Sequence, residues 1–249
     1  MKPRRGLARR WVVRFHFLVA AAALLAASPV LADDEPSRTI DRQTDLGAAH
    51  AVALTASAGD VHFEASSDAT IRVHARLHAA SAADLPRMDF SMRTDGDVVR
   101  IASVFPRHSI FNWSGSNDSI DYDVAIPHGV RVTVSLEAGN VVFDGLEGPI
   151  SAHDSFGDIT IHGVSENVTA GTRTGDVAVS LAPAWRGHAL DLWTTVGDVT
   201  LVAPPGLRAR LQAHTRVGDV RGADDLSGNA ADPSISLAST IGDVEIQTK

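Results

Sequence analysis

The 249-residue chain contains no cysteine, and beyond Lys2 its only lysine is Lys249. Without cysteine there can be no disulfide, thiolate metal site, cysteine nucleophile or lipid-modified cysteine of a bacterial lipoprotein. Any metal would have to be held by oxygen or imidazole. Catalytic signatures are missing too: there is no G-x-S-x-G, H-E-x-x-H, phosphate loop or dinucleotide fingerprint. His108, Ser114 and Asp118 lie near one another in sequence, but that proximity does not make a triad. Beyond residue 32, sustained apolar i, i+3, i+4 spacing is absent outside Ala79 to Asp84, which argues against a doubly wound α/β fold. With 44% apolar residues, 20 Gly and 11 Pro, collagen-like and bulk-disordered chains are excluded.

Charge is divided unevenly along the chain. Lys2, Arg4, Arg5, Arg9, Arg10 and Arg14 stand in a segment without acids, and the remainder carries 16 basic against 30 acidic residues, a net charge of -14. Such a surface repels phosphate backbones and anionic headgroups, so nucleic acid is not an expected partner. Residues 1–32 read as a secretory signal peptide: a basic start, an apolar run from Phe15 to Ala27, and small residues Val30 and Ala32 before the cut. The run is shorter than the ~20 residues of a membrane-spanning helix, and Ser28 and Pro29 break it. Export to the periplasm or cell surface of a bacterium is expected, with no membrane span after cleavage.

The tripeptide Gly-(Asp/Asn)-(Val/Ile) begins at Gly59, Gly96, Gly139, Gly157, Gly175, Gly197, Gly218 and Gly242. Seven residues before the glycine stand Val52, Val132, Ile150, Val168, Leu190, Leu211 and Ile235. Two after it come Val61, Val141, Ile159, Val177, Val199, Val220 and Val244; four after it come Phe63, Phe143, Ile161, Val179, Leu201 and Ile246, with Gly222 the exception. Each unit therefore reads as two short strands of period 2 flanking a corner. A two-strand unit cannot bury its apolar edge alone, so units must stack.

The expected fold is all-β: a β-solenoid or β-roll of stacked ~20-residue two-strand rungs, with an irregular antiparallel N-terminal cap. The competing architecture is an antiparallel sandwich, which has no reason to keep these columns in phase. The structural turn repeat comprises Gly139, Asn140, Gly157, Asp158, Gly175, Asp176, Gly197, Asp198, Gly218, Asp219, Gly242 and Asp243. The glycine gives the corner its backbone freedom, and the next residue can bond local N–H groups. The Gly96 copy is out of phase, and Asp95-Gly96 between alternating strands predicts a hairpin. Residues 33–130 are expected to form the N-terminal capping β region, with a hairpin and a loop at 106–119, and 131–249 the repeats, as one continuous domain from about 40 to 249.

The run from Ile120 to Leu181 resembles a bacterial β-strand-repeat family of unknown function whose members are provisionally described as adhesins. A Tyr-containing strand ending in Pro127, a turn at Gly129 and iterated Gly-Asp-Val units separated by a short link such as Gly145 to Gly148 carry the resemblance. It implies an exported or envelope-located repeat with a binding or scaffolding role and no catalytic motif. Asn140 in place of Asp, and the longer later units, depart from the pattern.

Stacked carboxylates repel one another, so the Asp column needs compensation. Calcium at Asp158, Asp176 and Asp198 is one answer, but it calls for six to eight oxygen ligands and only one column is acidic. Asn140 in that column favours a hydrogen-bonding role and no metal or other cofactor. Three residues before the glycine, Asp154, Thr172, Thr194, Thr215 and Ser239 fit a hydroxyl ladder on a solvent face. His74 and His78 lie four apart on a predicted strand, about 13 Å, too far to share an ion, and the histidines read as solvent-facing.

Trp193 falls at an outward position, with Arg173, Thr195 and Arg216 expected on the same face, and these four are the candidate binding residues. The expected function is a non-enzymatic adhesin or envelope scaffold holding a glycan or protein ligand through one face. A stress or regulatory module, and a β-helix polysaccharide lyase, are the alternatives. The lyase is disfavoured by rungs too short for a cleft and by the shortage of lysine. Open solenoid ends expose strand edges, so self-association is expected at the Lys249 end.

Overall fold

The computed structural model describes residues 36–105, 118–223, 226 and 228–249. The signal-peptide expectation, most of the 106–119 loop, His108 and Ser114 lie outside these residues.

Among the described residues the protein is all-β, with a 3-10 turn at Leu85–Arg87. The first half contains β1 (Ser37–Asp45), β2 (Ala51–Ala56), β3 (Val61–Ser66), β4 (Thr70–His78), β5 (Asp89–Asp95), β6 (Val98–Val104) and β7 (Ser119–Pro127). The middle contains β8 (Arg131–Ala138), β9 (Val141–Asp144), β10 (Ile150–Phe156), β11 (Ile159–Val164), β12 (Val168–Thr174) and β13 (Val177–Leu181). The chain closes with β14 (Ala189–Val196), β15 (Val199–Ala203), β16 (Arg210–Val217), β17 (Val220–Arg221), β18 (Ser234–Ile241) and β19 (Val244–Thr248).

Each Gly-Asp corner joins two strands that enter different sheets. One sheet runs β1-β4-β7-β3-β9-β11-β13-β15-β19-β17, the other β16-β18-β14-β12-β10-β8-β2-β6-β5. Both are mixed, and neither closes on itself. Antiparallel pairs are confined to β1 with β4, β4 with β7, and β5 with β6; the other pairs are parallel, which rules out an all-antiparallel sandwich. The columns read from the sequence fall in register, as in Val132↔Ile150↔Val168↔Leu190 and Val141↔Ile159↔Val177↔Val199. These positions form one buried core across both sheets, each fully buried aliphatic side chain contributing about 1.5–3 kcal/mol.

Two departures concern order. β18 and β19 lie between β14/β15 and β16/β17, so the last layer in sequence is not the last in space. The expected open end at Lys249 is corrected accordingly: the outermost strands are β16 and β17. The reason is local. With Gly222 in place of an apolar residue, β17 shrinks to Val220–Arg221, and Val220 stays 38% exposed. The unit with least to bury takes the edge.

At the other end, β6 and β7 form a layer without a Gly-Asp corner, parallel to β2 and β3 respectively. Ile120-Asp121 stands where the repeat has Gly-Asp, since Tyr122 pairs with Val61. Beyond that layer lie β4 and β1 on one sheet and β5 on the other, with the β5–β6 hairpin turning at Gly96 (φ 63°) as expected. Arg42, on β1, places its guanidinium 4.5 Å from the centre of the Phe90 ring and pairs with Asp89 at 2.8 Å, closing the core at this end with an amphipathic side chain.

Candidate functional site

The corners are built by two devices. Gly157 has φ 148°, and a Cβ added there would stand 1.8 Å from the Gly139 carbonyl oxygen, so both conformation and packing demand glycine. The residue after it bonds between layers, not locally as the sequence led us to expect. The backbone N–H of Asn140 donates to Asp60 Oδ1 (2.8 Å), Asp158 N–H to Asn140 Oδ1 (3.1 Å), and Asp176 N–H to Asp158 Oδ1 (2.8 Å). Asp198 N–H continues to Asp176 (2.7 Å), Asp243 N–H to Asp198 (2.7 Å) and Asp219 N–H to Asp243 (2.9 Å). At the opposite end Asp60 N–H donates to Asp121 Oδ1 at 3.0 Å, so the ladder extends into the layer that has no glycine.

An asparagine Oδ1 accepts as well as a carboxylate oxygen, which explains Asn140. At the outer end, the Asp219 N–H, aided by Arg221, holds the Asp243 carboxyl below the usual carboxylate range. Calcium would have to compete for oxygens already engaged, and among the described residues no three His, Asp or Glu side chains converge as metal ligands.

The hydroxyl column is a correction. Thr172, Thr194 and Ser239 are buried, not on a solvent face. Thr194 Oγ1 donates to the Gly175 carbonyl (2.8 Å), Ser239 Oγ to that of Gly197 (2.9 Å), and Thr215 Oγ1 to that of Gly242 (2.8 Å). Inward hydroxyls thus satisfy corner carbonyls of the neighbouring layer. Asp154 occupies this column without a hydroxyl: its Oδ1 accepts the Ser155 N–H at 2.6 Å, its Oδ2 is buried without a partner, and burial raises its pKa.

Trp193 lies on the outer face of the nine-stranded sheet, half-buried, opposite Gly171 of β12. Its indole covers that glycine so closely that an added Cβ at 171 would meet Cε2 at 2.0 Å. The ring thus lies flat along the sheet, with the His153 ring centre 6.1 Å away. Arg173, Thr195 and Arg216 are exposed on the same sheet, but β18 intervenes between β14 and β16, so Arg216 is one strand further from Thr195 than sequence order implies. The same insertion puts His153 and His214 four strands apart. Sequence reading missed the apolar line at the ends of these strands. Phe156, Val196, Ile241 and Val217, with Thr174, follow one another in register, and the four are 56%, 43%, 50% and 59% exposed. The signal available was the residue directly before each corner glycine.

His62, His74 and His78 do face outward, and they carry partners that spacing did not reveal. His74 Nδ1 lies 2.7 Å from Asp41, His62 Nε2 2.9 Å from Asp144, and His78 Nε2 3.3 Å from Asp121.

Neither family models nor curated proteins match the chain. Solved structures do. A protein of Clostridium sporogenes provisionally named a cell adhesion protein superposes with a TM-score of 0.55 at 11% identity, covering 86% of this chain and 100% of its own. A provisionally named adhesin of Bacteroides fragilis gives 0.42 at 12% identity over 84% and 97%. A protein of Parabacteroides distasonis provisionally named lipid-binding gives 0.30 at 8% over 84% and 94%. At these identities the first match establishes likeness of fold, and the other two carry no argument.

Proposed function

We propose that the chain is an exported, non-enzymatic bacterial envelope protein, built as a β-solenoid of stacked two-strand layers, that holds a surface glycan or protein against its nine-stranded sheet. The observation that carries this reading is Trp193: a half-buried aromatic ring laid flat over Gly171, near the exposed Arg173, which has no side-chain partner among the described residues. Rigid aromatic surface next to arginine is the composition of contact hot spots. The exposed line Phe156, Val196, Ile241 and Val217 adds apolar area at one margin of the same sheet. Export rests on the N-terminal segment, and no described helix is long and apolar enough to cross a membrane. The adhesion name of the Clostridium sporogenes neighbour points the same way. Self-association falls to the open edge of β16 and β17.

The test is binding of the labelled chain to separated peptidoglycan, lipopolysaccharide, exopolysaccharide and envelope protein. Saturable binding to one fraction, weakened at least about tenfold by Trp193→Ala with the melting temperature retained, is expected. Absence of saturable binding to every fraction overturns the reading.

A further inference from the structure

A second recessed site lies on the opposite sheet, where β1, β4, β7 and β3 run side by side. Outward positions there form two rows in register. The first is Asp41↔His74↔Asp123↔His62 and the second Gln43↔Arg72↔Ala125↔Glu64. Every member of these rows is long or charged except Ala125. That methyl group, set between Arg72 and Glu64, leaves the floor of a cavity of about 470 Å³ walled by Asp41, Gln43, Glu64, Arg72, His74 and Asp123. The volume is that of a site for a small ligand.

The wall chemistry restricts what fits. Of the two permanent cations in the lining, Arg42 pairs with Asp89 over the Phe90 ring, and Arg72 is occupied by Asp68 and by Ser66. His74 is oriented by Asp41 at 2.7 Å, and His62 reaches Asp123 at 3.4 Å. Among the described residues Glu64 and Gln43 form no side-chain hydrogen bond, and Asp41 and Asp123 each keep a second carboxylate oxygen uncommitted. Three carboxylates, Asp41, Glu64 and Asp123, against two guanidiniums already paired with Asp89 and Asp68 favour positive charge over anions. Val73 and Ala125 are the apolar residues of the lining, and the other lining residues are polar or charged. Carboxylate acceptors beside an amide and an imidazole suit several hydroxyl groups as well as an ammonium.

We infer that this cavity is a second binding site, separate from the Trp193 face, for a sugar carrying a free ammonium group, such as a de-N-acetylated hexosamine unit of an envelope glycan. Ala125 provides the room, Glu64 and Asp123 take the ammonium, and Gln43 and His74 meet hydroxyls. This goes beyond the proposed function and does not depend on it.

The probe is the glucosamine trimer with free amines, compared with its fully N-acetylated counterpart, titrated into the full chain by calorimetry. Saturable binding of the free amine is expected, at least about tenfold weaker for the acetylated trimer. It should be abolished by Ala125→Trp, weakened at least about tenfold by Glu64→Gln, and unchanged by Trp193→Ala. Glu64→Gln preserves shape, so its loss of binding would stand even if Ala125→Trp disturbed folding. Equal affinity for the two trimers, full binding by Glu64→Gln, or no saturable binding of the free amine would each overturn the inference. Retained binding of an envelope fraction in those cases would leave the Trp193 reading standing.

Discussion

Two regions of the molecule solve the same packing problem differently. From β8 to β15, each layer repeats one glycine corner and one inter-layer N–H to side-chain bond. Over β1, β4 and β7, pairing turns antiparallel and the outward surface fills with Asp–His and Asp–Arg contacts. In the regular region, side chains at the corners act on the backbone, and little chemical variety is left at those positions. At the antiparallel end the backbone groups pair within the ladder, and the outward side chains are free to differ. The repeated corners are therefore chemically uniform, and chemical individuality is found at the irregular end and around Trp193.

Substitutions can break or sharpen that contrast. The largest effect belongs to Gly157→Val, which places a branched side chain at φ 148° against the Gly139 carbonyl; a loss of at least about 3 kcal/mol in urea unfolding is expected. Next is Asp154→Thr, which supplies the hydroxyl its column otherwise uses and removes the unpartnered Oδ2. A gain of about 1–3 kcal/mol is expected at neutral pH. Because burial raises the Asp154 pKa, the folded state binds a proton more tightly than the unfolded chain. The wild-type penalty therefore disappears as pH falls through the folded-state pKa towards the ordinary value of 3.8, and the advantage of Asp154→Thr should shrink over that interval.

Asp176→Ala leaves the Asp198 N–H without its acceptor and should cost about 1 kcal/mol, whereas Asp176→Asn, by the precedent of Asn140, should unfold at nearly the wild-type urea concentration. The smallest effect is expected for His74→Ala, whose exposed pairing with Asp41 should contribute no more than about 0.5 kcal/mol to the same measurement.

Much of this contrast was legible in sequence. The apolar columns around each Gly-Asp pair, the out-of-phase hairpin at Gly96 and the outward place of Trp193 all follow from period-2 alternation. What alternation cannot give is spatial order. The units ending at Gly218 and Gly242 carry nearly the same columns, so their exchange was hidden, although Gly222 marked the weaker unit. The layer at Ile120-Asp121 escaped because it keeps the acid of the corner and omits the glycine. Thr172 and Thr194 read as solvent-facing for their hydroxyls, although period-2 alternation places them with the buried Ala170 and Leu192; their hydroxyls have carbonyl partners inside. The cavity above Ala125 needed three cross-strand registers that no local pattern contains.

The most direct test is a binding isotherm of the wild-type chain and Trp193→Ala against the envelope fraction that retains the protein. Saturation by the wild type, a shift of at least about tenfold in Trp193→Ala, and matching melting temperatures are expected if the outer face of the nine-stranded sheet recognises a ligand. Identical isotherms for the two proteins, or no saturation by either, would contradict it.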